Sequence, residues 1–225
     1  MFSKPFKSAL ILACLMLAGC SMFSSRGVKP GERVVFFGDS ITFFGDRPGG
    51  YVALVRDGLA RDGVEVIGAG IPAHKVGDLM ERVDKDVIAK KPSVVVIYIG
   101  INDVWHWRRN QGTTQDVFEA DLNALTDKIQ AAGGRVILVT PTVIGEKKNG
   151  ANKWDPWLDE FAGITRKVAQ DRGLVLVDLR ALFKDYTQAH NPNDLDKGIL
   201  TEDTVHLNPT GNKLVAQQML KALSK

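Results

Sequence analysis

The stretch FFGDSIT, residues 36–42, ends an apolar run in a glycine and sets Ser40 two residues beyond it. A serine hydroxyl is a weak nucleophile until a base takes its proton. A candidate base stands far downstream, in Asp203-Thr204-Val205-His206. An imidazole, with an ordinary pKa of about 6.5, accepts and returns a proton near neutral pH. An aspartate three residues earlier on the same turn can accept the ring N–H, fix the tautomer and stabilise the imidazolium. Ser40, Asp203 and His206 are therefore candidates for nucleophilic catalysis, provided that the two ends of the chain meet. Activity is expected to rise as His206 loses its proton.

Such chemistry needs a scaffold that brings these positions together. Apolar runs at 34–37, 64–67, 94–99, 136–139 and 174–177 are read as strands. The run at 94–99 is apolar without alternation, as expected of a parallel strand buried on both faces. Helical periodicity falls between the strands at 51–61, 76–89, 117–132 and 158–170, with a closing helix at 210–223. Asn208 is expected as the N-cap of that last helix and Pro209 as its first residue. Strands alternating with helices predict an α/β fold: a flavodoxin-like three-layer α/β/α sandwich on a five-stranded parallel sheet. Its functional crevice should lie beyond the carboxyl ends of the strands. Gly38-Asp39-Ser40, Gly68-Ala69-Gly70 and Gly100-Ile101-Asn102-Asp103 follow the first three strands, and Asp203 to His206 precede the last helix.

These four stretches, in this order across nearly the whole domain, resemble the sequence blocks of the SGNH hydrolases, the GDSL-type esterases and lipases. The resemblance implies a serine esterase working through an acyl-enzyme at Ser40, with Asp203 and His206 completing the catalytic set; short-acyl or acetyl esters are the expected substrates, with lysophospholipid and thioester left open. It implies an oxyanion hole made by the Ser40 and Gly70 backbone N–H groups and the Asn102 side-chain amide, and no cofactor. Gly70, lacking a Cβ, would let its backbone approach the substrate. Gly100 would allow the sharp exit from the third strand. Asp39 and Asp103 are read as structural acceptors of loop N–H groups. Many family members carry asparagine where this chain has Gly68, and Ser-Gly where it has Pro72-Ala73, so the loop shape around Gly70 is expected to differ.

Two other readings stay open on the sequence: an acetyltransferase acting on cell-envelope polysaccharide, and an envelope lipoprotein that only binds in the crevice. Trp105, His106 and Trp107 follow the third block directly and are candidate substrate contacts, able with Arg108 and Arg109 to stack on a sugar or hold an anion. The glycine-containing polar segment 144–156 is expected to form a mobile flap, with a second loop around Asn191 to Asn193. His74, His106 and His190 have no metal-ligand spacing, so no metal site is expected.

The amino terminus has a different character. Lys4 and Lys7 precede a short apolar run that ends in Leu17-Ala18-Gly19-Cys20. The run is shorter than the roughly 20 residues that span a bilayer. This order resembles a bacterial lipobox and implies a signal peptide over 1–19, lipidation at Cys20, a tether over 20–32 and the hydrolase domain over 33–225. Ser21 in place of aspartate leans toward the outer membrane, on its periplasmic side. Loss of residues 1–19 would remove Lys4 and Lys7 from the 29 basic residues, leaving them nearly balanced by 26 acidic ones. Charge therefore excludes nucleic acid as an expected partner, and membrane attachment would rest on acyl chains. Substrate and membrane are the expected partners; the sequence assigns no oligomeric state.

Overall fold

The computed structural model describes residues 27–224; the expected signal peptide and Cys20 lie outside the described residues. Five apolar runs become β1 (Arg33–Gly38), β2 (Glu65–Gly70), β3 (Val94–Tyr98), β4 (Arg135–Val139) and β5 (Val175–Val177). All pair in parallel, in the order β2-β1-β3-β4-β5. This is the flavodoxin-like strand order, and helices cover both sides, so the expected three-layer α/β/α fold is present. β1 and β3 are buried almost throughout, which is why their apolar runs show no alternation.

Among the described residues, eight α-helices connect or flank the strands: α1 (Ser40–Gly45), α2 (Tyr51–Leu59), α3 (Val76–Asp86), α4 (Ile101–Trp105), α5 (Gln115–Ala131), α6 (Asp155–Asp171), α7 (Leu179–His190) and α8 (Pro209–Leu223). α2 packs on α8, while α5 packs between α3 and α6. α8 begins as expected: the Asn208 side chain accepts the Gly211 N–H at 2.9 Å, and Pro209 sits in the first turn, where its missing N–H costs nothing. The helices α1, α4 and α7 were not anticipated from periodicity.

Register does the first positioning. Gly38 lies opposite both Gly70 and Tyr98, so β1, β2 and β3 end at one level. β2 runs on through Gly68-Ala69-Gly70, which the sequence placed after the strand; an edge strand tolerates glycines that a central one would not. At the opposite end of the sheet, Val28 donates its N–H to Leu223 O (2.8 Å), Gly31 to Gly63 O (3.0 Å), and Glu32 O accepts from Glu65 (2.9 Å). Residues 28–32, expected within the tether, are thus bonded to the domain.

Candidate active site

Ser40 is the first residue of α1. Asp39 caps that helix: its Oδ1 accepts the Ile41 N–H at 2.9 Å, and its carbonyl accepts the Phe43 N–H at 2.9 Å. The cap fixes the sharp strand-to-helix turn on which the hydroxyl stands. Thr42 reinforces it from below, sharing a 2.9 Å hydrogen bond with the buried Tyr51 hydroxyl. Burial pushes the Asp39 carboxyl up to about 7, against the lowering effect of the Ile41 N–H.

From 166 residues away, His206 brings Nε2 to 2.9 Å from Ser40 Oγ. Its Nδ1 lies 2.6 Å from Asp203 Oδ2. The other Asp203 oxygen accepts the backbone N–H groups of His206 (2.8 Å) and Val205 (3.1 Å). One carboxylate thereby closes the turn and orients the ring carried on it. Partial burial raises the Asp203 pKa, but the bonds from His206 and Val205 outweigh it and hold the carboxyl below its ordinary range. Thr204 adopts a left-handed backbone (φ 89°), unusual for a β-branched residue, and its carbonyl accepts the Gly145 N–H at 2.9 Å. The Phe44 ring stands edge-on against the imidazole, with centroids 5.0 Å apart.

Asn102 lies buried in the first turn of α4, behind Gly100, whose φ of 117° makes the turn out of β3. Its Nδ2 donates to the His74 carbonyl at 3.1 Å, which uses one of the two amide hydrogens and aims the other. Asp103 accepts the Val76 N–H (3.2 Å) and the Thr113 hydroxyl (2.6 Å), as expected of a structural acid; burial pushes its pKa up to about 6. Gly70 meets the back of α1: a Cβ there would fall 2.2 Å from Phe43 N and 2.7 Å from Asp39 O. Its missing side chain serves the seating of α1, the helix that Ser40 opens, before it serves any substrate. Gly68 likewise makes room for the Asp46 side chain, which pairs with Arg56.

Residues 36–214 match the model of the GDSL-like Lipase/Acylhydrolase family. The chain belongs to that family. An acetylxylan esterase from Geobacillus stearothermophilus is 31% identical over 220 residues, covering 87% of this chain and 95% of its own. Solved variants of that protein described as catalytic mutants replace a serine, an aspartate and a histidine. The isoamyl acetate-hydrolyzing esterase 1 homolog of Mus musculus is 27% identical, over 92% of this chain and 87% of its own. The crystal structure of the acetyl xylan esterase AlAXEase superposes with a TM-score of 0.82 at 44% identity, covering 84% of this chain and 98% of that one. This member of the GDSL family is a carboxylic ester hydrolase.

Around the hydrolase site, the segment 144–156 is no flap over its first part. Glu146, only 1% exposed, accepts the backbone N–H groups of Ile199 (2.7 Å), Leu200 (2.6 Å) and Thr201 (2.7 Å). Its own carbonyl accepts from Asn191 Nδ2 at 2.8 Å, and Asn191 Oδ1 in turn accepts the Leu195 N–H at 2.9 Å. The two expected loops are therefore one buried polar clamp, and Thr201, at its edge, pairs with Leu207 across the turn that carries Asp203 and His206. Sequence reasoning did not single out Glu146; a lone acid in a polar stretch carries no periodic signal.

Trp105, His106 and Trp107 fall at the end of α4 and in the short 3-10 turn after it. Much of their capacity is used internally. Trp107 Nε1 donates to Thr113 O at 3.1 Å and its ring packs on Trp157 at 5.5 Å. The Arg108 guanidinium covers Trp105 at 4.2 Å. Burial, then the neighbouring cations Lys75, Arg108 and Arg109, hold His106 below its ordinary pKa. Among the described residues no group of His, Cys, Asp and Glu is arranged to hold a metal. An apolar cavity of about 350 Å³, lined by Val28, Val94, Leu174 and Leu223, opens at the amino ends of the strands, opposite to the hydroxyl of Ser40.

Proposed function

We propose that this hydrolase removes acetyl or similarly short acyl groups from a glycan or small-molecule ester, through an acyl-enzyme at Ser40. The single observation that supports it most is the continuous chain Ser40 Oγ to His206 Nε2 (2.9 Å) and His206 Nδ1 to Asp203 Oδ2 (2.6 Å). In this mechanism His206 takes the hydroxyl proton as Ser40 Oγ bonds to the ester carbonyl carbon. Asp203 balances the imidazolium that forms. The carbonyl oxygen becomes an oxyanion, held by the Ser40 and Gly70 N–H groups and the second Asn102 amide hydrogen. His206 returns its proton to the departing alcohol. Water then repeats the cycle on the acyl-enzyme, releasing acetate and restoring Ser40. Trp105, His106 and Trp107 would form an outer wall for the alcohol part.

The preference for acetyl draws on the names of relatives with unlike alcohols, acetylxylan and isoamyl acetate. A fluorophosphonate probe gives the direct test. It should label the protein, and labelling and acetate release from p-nitrophenyl acetate should both vanish in Ser40→Ala. Labelling that persists in that variant overturns the role of Ser40. We further propose that Cys20 carries the lipid anchor and that the enzyme works on the periplasmic face of the cell envelope, in the outer membrane. Membrane association retained by Cys20→Ser would overturn this.

A further inference from the structure

The residues that follow the nucleophile carry a feature the hydrolytic mechanism does not use. Phe43 and Phe44, three and four residues beyond Ser40, are both exposed, as is Ile71, next to Gly70. Exposed apolar side chains thus stand on both the segment after Ser40 and the segment after Gly70. The Arg47 guanidinium lies over both rings, its Cζ 5.1 Å from the Phe43 centroid and 4.6 Å from that of Phe44. Phe44 in turn touches the His206 ring. Two ring contacts thus link the cation to the His206 ring.

The backbone of Arg47 is fixed, its N–H bonded to Phe44 O at 3.1 Å and its carbonyl to the Gly50 N–H at 2.8 Å. Among the described residues no carboxylate pairs with its side chain. The adjacent acid, Asp46, is already taken by Arg56. Phe43, Asp46, Arg47, Gly68 and Gly70 line an open groove of about 320 Å³ that runs to the Gly70 backbone. A guanidinium held against two aromatic rings loses less entropy when it binds and presents a fork that fits a carboxylate.

We propose that Arg47, on its Phe43–Phe44 platform, forms a subsite for a carboxylate-bearing sugar next to the acylated one, so that the preferred substrate is the ester of an acidic glycan. This rests on the esterase reading above. It is tested without turnover, in the Ser40→Ala chain, so the two can fail separately. The ligands are an acetylated xylo-oligosaccharide bearing a glucuronic acid and the same compound with that carboxyl reduced to the alcohol. Calorimetry should give about fivefold to tenfold tighter binding of the acidic ligand at low salt, shrinking as salt is added. The difference should disappear in Ser40→Ala/Arg47→Gln and be only partly kept in Ser40→Ala/Arg47→Lys, which retains charge without the fork. Equal affinity for the two ligands, binding of neither, or a preference that survives R47Q overturns the subsite. Acetate release from p-nitrophenyl acetate by the unaltered chain reports on the esterase reading alone.

Discussion

Glu146 and Leu200, 54 residues apart, are joined by a 2.6 Å bond from the Leu200 N–H to a carboxylate oxygen that is buried from water. The same carboxylate takes the N–H groups on either side, so three consecutive backbone donors point at one acid. That segment runs directly into the turn of Asp203 and His206. The chain thus fixes the turn that carries the proposed base, His206, by a buried acid on a separate segment.

Glu146→Gln should therefore damage both stability and turnover. One amide end would face N–H donors instead of accepting them, leaving buried groups unpaired at a cost of about 2–3 kcal/mol. For a chain of this size that lowers Tm by roughly 5–10 °C. Displacement of His206 by a fraction of an ångström should lower kcat by about tenfold or more while KM changes little. Calorimetry and steady-state kinetics on p-nitrophenyl acetate check both; an unchanged kcat with a lowered Tm would confine Glu146 to a stabilising role.

Why this clamp escaped the sequence is instructive. The sheet was legible because β1 and β3 are unbroken apolar runs, and the meeting of Ser40 with His206 and Asp203 because these residues sit in short blocks placed at element ends. α1 and α4, with six and five residues, are too short to show a helical period. α7 hid for another reason: Arg180, a fully buried cation, occupies a position where the pattern calls for an apolar side chain. Long-range polar pairing of Glu146 with Ile199 to Thr201 leaves no local trace at all. The role of Gly70 was also only half visible, since the contact with Phe43 N depends on how α1 seats against β2.

Gly70→Ala follows from that contact. The new methyl would press on backbone atoms of the turn that carries Ser40, which cannot swing aside as a side chain can. Ser40 and the proposed oxyanion donors should part, with a fall of about 10²-fold in kcat. Gly68→Ala is the control. The three atoms nearest its methyl all belong to the Asp46 side chain, and rotating that away forfeits a part-exposed ion pair with Arg56 worth at most about 1 kcal/mol. Equal losses in the two variants would argue against the seating of α1 as the cause.

Arg180 supplies a test of the scaffold beneath the clamp. Its guanidinium donates to Asp155 Oδ1 (2.7 Å), Asp159 Oδ1 (2.8 Å) and the Thr142 carbonyl (2.8 Å), tying α7 to α6 and to the strand end after β4. Arg180→Met keeps the volume and strands the buried Asp155 carboxylate. Loss of one partner from a buried pair costs about 3–5 kcal/mol. Urea unfolding should show that loss, and Arg180→Met/Asp155→Leu should recover a substantial part of it. A double variant no better than the single one would mean that packing, not the stranded charge, dominates.

Asp39 gives the pH dependence of folding a definite sign. Its ordinary pKa of 3.8 is pushed up to about 7 in the fold, chiefly by burial. Between those values the folded chain holds a proton that the unfolded chain releases. The stability from this group is therefore complete below about pH 4 and is lost as pH climbs through 7. Asp103, pushed up to about 6, acts in the same direction. His74, held below its ordinary pKa first by burial and then by Arg82, acts oppositely, so the unaltered chain alone does not isolate the effect. Asp39→Asn does, because it keeps an acceptor for the Ile41 N–H and removes the titration. The Tm of the unaltered chain relative to that variant should fall by roughly 6–12 °C between pH 4.5 and pH 8. Parallel melting curves across that range would show that Asp39 is ionised in the fold and that its desolvation is offset by bonds beyond the Ile41 N–H.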